Sequence, residues 1–331
     1  MTKNRYWQIV RGLAIIAVVF IHCRSISNCY QDSIYYLFMR NIINFPVPVF
    51  FFLAGYFCKF KKEKEKEWIQ NRLLKLIVPY LIWSFVYEVF YGLKNGWETS
   101  ILYYCQELLL GRAATPFYYV IVLIYFTLIT PMLVSCCQKK QVGLIIMILV
   151  LSPILQLLGY VSLLFVKNGE VIWMYLKYSP IWIIFYFGGI LVAKNIINLR
   201  NKISLYLILP TLGLEIIESI IWKSTRLGVI GGYGQYRITG FLYSIVLCSV
   251  FCTLEPKMKI KSKLLETIGD YSFAIFFMHF AIVRVLDKLI NNSLSLPIVQ
   301  ISQAFGSIAI SIFIAYVLKK ILKEKSKYFG V

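Results

Sequence analysis

Charged residues are scarce in this sequence. They make up 15% of its 331 residues, against about a quarter in soluble globular proteins. So few charges cannot cover the apolar volume that a hydrophobic content of 59% and a mean hydropathy of +0.71 imply, so the composition excludes a water-soluble globular protein. Apolar runs of roughly 15–25 residues recur along the chain, and about 20 are enough to cross a bilayer. The sequence therefore predicts a polytopic membrane protein with the lipid bilayer as its solvent.

Acidic residues are rarer still, since 15 Asp and Glu stand against 35 Lys and Arg, which gives a net charge of +20. In a soluble chain this surplus would suggest a nucleic-acid partner. Here the basic residues lie between apolar runs and form no domain of their own, so we expect no nucleic acid. An excess of Lys and Arg is typical of the cytoplasmic loops of membrane proteins.

Metal-binding and disulfide patterns are also missing. The eight Cys include no CxxC pair, and neither of the two His residues lies at zinc-finger spacing. We therefore predict no metal site and no disulfide. Without an internal repeat or a polar linker, the chain is predicted to be a single integral membrane domain over residues 1–331. No particular oligomeric state follows from this.

The apolar runs predict an all-α bundle of about ten transmembrane helices. They lie near residues 6–24, 34–58, 73–92, 116–136, 142–166, 179–194, 203–222, 238–255, 268–290 and 297–318. An even number places both termini on one side. With the N-terminus inside, 23 basic residues fall in inner segments and nine, including Arg237, in outer ones. This asymmetry predicts that both termini are cytoplasmic and that the protein is a multi-pass protein of the cell membrane.

Ionisable side chains inside a span are costly, and each one that is present suggests a cavity or a partner. The spans contain Arg11, His22, Arg40, Glu88, Glu215, Glu218, Asp270, His279, Arg284 and Asp287. Some of them have an ordinary structural explanation. Arg284 and Asp287 are three residues apart and are suited to pair with each other.

Arg11 and His22 stand out because eleven helical residues make three turns plus about 20°, which puts both side chains on one face about 16 Å apart. Arg11 then lies in the cytoplasmic half and His22 toward the outer end. Imidazole is the side chain best suited to take a proton from a hydroxyl at neutral pH. The alternative, a surface arginine and a hydrogen-bonded core histidine, stays open on spacing alone, and for His279 a structural role is favoured.

The third span begins with a basic stretch in which Arg72 and Lys75 are three residues apart and point the same way. An arginine grips phosphate with a planar fork, so this pair is a candidate clamp for a phosphorylated molecule from the cytosol. Attraction to lipid headgroups explains the loop lysines equally well.

Four stretches, in order along the chain, resemble the membrane acyltransferase-3 family. The first span, Arg5–His22, is similar to its opening helix with the Arg-x10-His pattern. Phe45–Tyr56 is similar to its Pro-x-Phe-Phe-Phe-x-Ser-Gly-Tyr stretch, with Ala54 in place of Ser. The remaining two are the Arg72-x-x-Lys75-Leu76-x-x-Pro79-Tyr80 run and the late segment Ile268–His279. A further departure is Pro116–Tyr119, where the family often has His-Leu-Trp-Phe.

The resemblance implies an O-acyltransferase that moves an acyl group, most often acetyl, from cytosolic acyl-CoA to a hydroxyl of an extracytoplasmic or lipid-linked sugar or polysaccharide. It suggests His22 as the base and Glu88 as a residue that orients His22 or binds the sugar. The residues expected to hold CoA are Arg11, Arg72 and Lys75. Those expected to contact substrate or stabilise its oxyanion are Tyr80, Trp83, Ser84, Tyr87 and His279.

Two other classes of function remain as alternatives. Kinked spans around a polar cavity also suit a transporter or exporter of a glycan intermediate or small anion, and a binding module without turnover is the third reading. The outer loops 93–115 and 223–237 are rich in aromatic residues, which suits contact with a sugar ring and equally suits anchoring at the membrane interface.

Overall fold

A computed structural model of the chain describes residues 4–23, 33–97, 100–167, 169–224, 234–256, 261–290 and 295–331. These residues form helices and turns, with no β-strand among them. The α-helices are α1 (Arg5–His22), α2 (Ile34–Ile42), α3 (Pro46–Tyr56), α4 (Glu65–Asn95), α5 (Ile101–Leu110), α6 (Tyr118–Gln138), α7 (Val142–Phe165), α8 (Gly169–Tyr175), α9 (Ile183–Ala193), α10 (Ile203–Lys223), α11 (Ile238–Leu254), α12 (Lys263–Asp270), α13 (Ser272–Leu289) and α14 (Leu296–Leu322). Short 3₁₀ helices cover Lys62–Lys64, Thr115–Phe117, Leu176–Tyr178, Pro180–Trp182 and Lys323–Phe329.

Within the described residues, seven helical segments are long and apolar enough to cross a membrane. They are Arg5–His22, Ile34–Tyr56, Lys62–Leu93, Thr115–Gln138, Val142–Phe165, Ile203–Lys223 and Leu296–Phe329. Shorter apolar helices cover Ile101–Leu110, Pro180–Ala193 and Ile238–Leu254. The predicted all-α, polytopic membrane architecture is confirmed. The count of ten spans and the cytoplasmic position of both termini stay predictions.

The chain folds into two compact units, each assembled from segments that are distant in sequence. Unit 1 comprises Met1–Arg24, Lys61–Leu128 and Lys261–Val331, and unit 2 comprises Ser25–Phe60 and Ile129–Ile260. Both units therefore depend on contacts between the early and late parts of the chain. A single domain over residues 1–331 stays a prediction.

In unit 1, α1 packs against α12, α13 and α14. The closest approach is to α12, where a Cβ atom on Gly269 would collide with the carbonyl oxygen of Gln8 and one on Gly12 with that of Leu265. Glycine at both positions lets the two backbones meet. The C-terminal 3₁₀ helix packs on α4 and α14.

In unit 2, α3 lies against α9, and α10 lies against α11 and α2. The α3–α9 contact is again a backbone approach, because a Cβ atom on Gly55 would collide with the carbonyl oxygen of Tyr186. The aromatic rings of Phe51, Trp182 and Phe241 fill the adjoining core.

The predicted span at 34–58 is not one continuous helix. Residues 43–45 belong to neither helix, so the segment consists of α2 and α3 in succession. Pro46 is the first residue of α3, and a proline that follows a helix lacks the N–H that would continue the ladder. The carbonyl of Ile42, at the end of α2, instead accepts a hydrogen bond from Tyr243 at 3.3 Å. This satisfies a backbone group that lipid could not.

Candidate active site

Arg11 and His22 both lie against other helices of unit 1, a point that their spacing alone left open. Each side chain is half-buried. Arg11 lies close enough to Arg72, Tyr119 and Asp270 for their charges to act on it. Eleven residues further along α1, the His22 ring packs against α13. One helix therefore carries a cation and an imidazole about 16 Å apart, both directed into protein.

The His22 ring meets two aromatic side chains of α13. Its centroid lies 5.3 Å from that of His279, with the ring planes tilted by 47°, and 5.3 Å from that of Phe280 in an edge-to-face contact. His279 is fully buried. The two histidines of the sequence, far apart along the chain, are thus neighbours in the fold.

The His279 ring is fixed within its own helix. Its Nδ1 lies 2.9 Å from the carbonyl oxygens of both Ile275 and Phe276. Its Nε2 has no hydrogen-bond partner among the described residues. The ring that contacts His22 therefore has a buried nitrogen without a hydrogen-bond partner in the described residues.

Tyr87 on α4 holds α13 beside this pair. Its hydroxyl donates to the carbonyl oxygen of Phe277 at 3.0 Å and accepts from the amide of Ala281 at 2.9 Å. Those two backbone groups are four residues apart and would otherwise pair with each other. A side chain inserted into a helical ladder is a recognised cause of local bending. The insertion occurs on either side of His279.

The other residues predicted on the third span are also placed in unit 1. Tyr80 donates its hydroxyl hydrogen to the carbonyl oxygen of Leu108. The indole N–H of Trp83 donates to the carbonyl oxygen of Phe329 at 3.1 Å. Ser84 is fully buried, and its hydroxyl has no partner among the described residues. The polar hydrogens of Tyr80, Trp83 and Tyr87 are therefore bound to backbone, whereas the hydroxyl of Ser84 is available.

The predicted clamp residues differ in exposure. Arg72 is half-buried and lies over the Trp68 ring, 5.5 Å from its centroid. Lys75 is exposed. Because Arg72 lies near Arg11, two half-buried guanidinium groups are brought together, and two like charges in that position attract an anion. Lys75 is peripheral to that arrangement.

The predicted role of Glu88 stays a prediction. Glu88 is half-buried on α4, where the charge of Glu107 acts on it and its own charge acts on Tyr91. No hydrogen bond or ion pair joins Glu88 to His22 in the described part of the chain.

Arg284 and Asp287 were predicted to pair with each other, and the structure gives each of them another partner. Arg284 lies over the Phe280 ring, and Asp287 accepts a hydrogen bond from Gln303 at 2.8 Å.

A second buried polar cluster lies in unit 2, and sequence reasoning missed the burial of its central residue. Arg237, counted above as an outer-loop cation, has no exposed surface. Its guanidinium donates to Glu215 Oε1 at 3.1 Å, to the Glu215 carbonyl at 2.8 Å and to Asn41 Oδ1 at 2.6 Å. Asn44, in the break between α2 and α3, donates to Glu215 Oε1 at 2.8 Å. Three polar residues clustered within the spans, Arg40, Asn41 and Asn44, were the available signal.

Tyr119 was noted in the sequence only as a departure from a family pattern. The structure puts it near Arg11 and packs its ring on Phe276, with centroids 5.6 Å apart. Of the two aromatic loops, residues 98–99 and 225–233 lie outside the described residues. The expected acceptor contacts there stay predictions.

Comparison with known proteins gives one match. A family model described as an acyltransferase domain, Acyl_transf_3, matches residues 4–320. No curated protein and no solved structure matches the chain.

Proposed function

The chain belongs to the acyltransferase-3 family, and from this premise we propose that it transfers an acyl group, acetyl in the first instance, from cytosolic acyl-CoA to a sugar hydroxyl. That the protein is a membrane acyltransferase follows from the family and from the helices long and apolar enough to cross a membrane. We propose in addition that the donor is acyl-CoA, that the acceptor is a sugar and that the protein lies in the cell membrane.

The observation that carries the proposal is the arrangement along α1. At one position along α1, which we call the arginine level, Arg11 lies near Arg72. About 16 Å further along the same helix, His22 lies beside His279. CoA has the matching chemistry, since its phosphates are separated from its thioester by a long, thin pantetheine arm. We place the phosphates at the two arginines and the thioester at His22, with the arginine level facing the cytosol.

In the proposed reaction His22 is the general base. It takes the proton of the sugar hydroxyl as the hydroxyl oxygen forms a bond to the thioester carbonyl carbon. The tetrahedral intermediate collapses, the carbon–sulfur bond breaks, and the sulfur leaves as the CoA thiolate. The thiolate receives the proton from the His22 imidazolium, so the products are the sugar ester and free CoA.

The developing oxyanion needs a hydrogen-bond donor held in a dry site. Among the four predicted residues of the third span, Ser84 is the one whose polar hydrogen is not bound to backbone. It lies three residues before Tyr87, on the same side of α4, and Tyr87 contacts α13 on either side of His279. This supports Ser84 as the oxyanion donor and leaves Tyr80, Trp83 and Tyr87 as residues that shape the site.

The experiment is acyl transfer by the full chain purified in detergent, with labelled acetyl-CoA and glycans from the host envelope as acceptors. We expect His22→Gln to abolish transfer while CoA binding persists, and Arg11→Gln to weaken CoA binding at least tenfold. Arg5→Gln is the matched control, because Arg5 is on the same helix but 69% exposed. Full transfer by His22→Gln would show that His22 is not the base. Equal CoA affinity in the two arginine variants would show that Arg11 does not bind CoA.

A second function, export of a glycan intermediate or small anion, is favoured by one feature of unit 2. Spans interrupted at mid-membrane, with polar residues at the break, are typical of transporter binding sites. The interruption at residues 43–45, beside Asn44, Glu215 and Arg237, has this form. Two results would support export over acyl transfer. Vesicles that contain the His22→Gln variant would still move labelled glycan, and the purified protein would bind no CoA.

A further inference from the structure

The protonation of the His279 ring follows from its contacts. Carbonyl oxygens accept hydrogen bonds and do not donate them. Since Nδ1 lies 2.9 Å from two carbonyl oxygens, it carries the hydrogen. In the neutral ring the lone pair is then on Nε2. That nitrogen is buried and has no partner among the described residues. It is therefore a hydrogen-bond acceptor that could take one more donor.

The distance to His22 suits one particular donor. A hydrogen bond between two ring nitrogens is about 3 Å long, and each nitrogen lies about 1 Å from its ring centroid, so the centroids of hydrogen-bonded imidazoles lie about 5 Å apart. The observed separation is 5.3 Å. The bond is not made in the structure, because Nε2 of His279 has no partner among the described residues. Forming it requires a change in the orientation of the half-buried His22 ring. Hydrogen bonds of catalytic groups often tighten only when substrate binds.

We propose that His279 is a positioning residue whose Nε2 accepts a hydrogen bond from one ring nitrogen of His22, which leaves the other His22 nitrogen unprotonated and facing the acceptor hydroxyl. This inference rests on the proposed function, in which His22 is the base. His279 touches neither the donor nor the acceptor in this arrangement.

In this arrangement His22 is the base and His279 is the group that orients it. In such sites the orienting acceptor selects the tautomer of the base and stabilises the imidazolium that forms during the reaction. Here a neutral imidazole has the place usually taken by a carboxylate. The tautomer of His22 is then set by the ring of His279, which is set in turn by the carbonyls of Ile275 and Phe276.

The position of His279 is supported on two sides. Tyr87 contacts the backbone at Phe277 and Ala281. Ser307 on α14 donates to the carbonyl oxygen of His279 at 3.3 Å. A ring held by its own helix, by α4 and by α14 loses little freedom when it forms one more bond, which is the condition for effective positioning.

The test uses the fact that the sequence contains two histidines. Nitrogen-15 NMR of the histidine-labelled full chain in detergent gives signals from two rings, and His22→Gln assigns them. We expect His279 to be protonated at Nδ1, His22 to be a single tautomer, and a nitrogen–nitrogen coupling across the hydrogen bond in the resting or the CoA-bound protein. Two tautomers of His22 in exchange, with no coupling in either state, would overturn the proposal.

Variants separate positioning from folding. His279→Asn keeps an N–H donor for the helix carbonyls, as Asn41 does toward the carbonyl of Leu37 at 2.8 Å, and removes the Nε2 acceptor. His279→Gln places an amide oxygen near the position of Nε2. We expect His279→Asn to lower kcat 10- to 100-fold and release His22 into two tautomers, and His279→Gln to recover most of both losses. Equal losses in the two variants would contradict positioning.

The spectra do not require turnover, so the two proposals fail separately. If the rings are coupled but His22→Gln transfers acyl groups normally, the proposed function is wrong and the hydrogen bond stands. If transfer depends on His22 while its tautomer is indifferent to His279, the positioning role is wrong and the function stands.

Discussion

The hydroxyl of Tyr87 replaces a backbone hydrogen bond of α13, because it donates to the carbonyl oxygen of Phe277 at 3.0 Å and accepts from the amide four residues later. The third span and the helix that carries His279 are therefore joined by an interaction that serves both elements. A change in this hydroxyl affects stability and the position of the His279 ring together.

Tyr87→Phe removes that hydroxyl and retains the ring. We expect a loss of about 1–3 kcal/mol in stability, the usual cost of leaving buried polar groups unsatisfied, with a lower transfer rate. Thermal unfolding and acyl transfer in detergent measure the two effects. Tyr91→Phe, one turn later on α4 and half-buried, is the matched control and should be close to wild type. Equal behaviour of the two variants would mean that the bridge is unimportant.

Gly269→Ala should separate α1 from α12. Its Cβ atom would collide with the backbone carbonyl of Gln8, which cannot move as a flexible side chain does. Overpacking of this kind costs about 1–3 kcal/mol, and we expect weaker CoA binding because Arg11 lies near this crossing. The control is Gly143→Ala on α7, where an added Cβ meets nothing within 4 Å. There the better helix propensity of alanine should preserve or raise the unfolding temperature.

Arg237→Met leaves the Glu215 carboxylate buried without its ion pair. Breaking a buried pair in this way costs about 3–5 kcal/mol, so we expect a large fall in unfolding temperature. Replacing both residues by Met should recover much of the loss, which a double-mutant cycle measures.

Arg200→Met is the surface counterpart, since its bond to Glu255 at 3.0 Å involves a side chain that is 54% exposed. An exposed pair contributes about 0–1 kcal/mol. A large effect there, or a small one at Arg237, would contradict the assigned burial.

Ser84→Ala tests the proposed oxyanion donor. Loss of one such donor lowers kcat about 10²–10³-fold, and CoA binding should not change because the group acts in the transition state. Ser311 on α14 is a close match, since it is also fully buried with a hydroxyl that has no partner in the described part of the chain. Ser311→Ala should retain normal transfer. If both variants are equally active, Ser84 has no part in the chemistry.

Arg72→Lys preserves the charge near Arg11 and removes the planar fork. We expect CoA affinity to fall several-fold, because a lysine meets phosphate as a point charge and does not bind it in two places. Isothermal titration with CoA is the measurement. Lys75→Arg on the exposed side should leave the affinity unchanged, and a rise there would place Lys75 inside the clamp.

Hydropathy and helical periodicity were enough to predict the membrane fold and the common direction of Arg11 and His22. Both depend on local sequence, the first on the length of apolar runs and the second on the pitch of a single helix. The nearness of Arg72 to Arg11 involves two different helices. The family resemblance implied that both residues hold CoA, and in the structure Arg72 lies close enough for its charge to act on Arg11. Their role in holding CoA stays a prediction.

Relationships that depend on the register between distant helices escaped prediction. The meeting of His22 with His279 requires the packing of α1 on α13, and no local pattern sets that register. The burial of Arg237 was missed because its partners Asn41 and Glu215 belong to other helices. Glu88 forms no hydrogen bond or ion pair with His22 in the described residues, and its role beside His22 or at the sugar stays a prediction.

The break at residues 43–45 has a consequence for the biogenesis of the protein. When the ribosome has completed α2 and α3, the side-chain oxygen of Asn41, the side-chain N–H of Asn44 and the carbonyl of Ile42 lack their later partners. Those partners, Arg237, Glu215 and Tyr243, have not yet been synthesised. Lipid offers these groups nothing to bond with. We expect this segment to stay beside the insertion machinery, or shielded by a chaperone, until α11 emerges, so that stable integration of an early span is governed by translation of a late one.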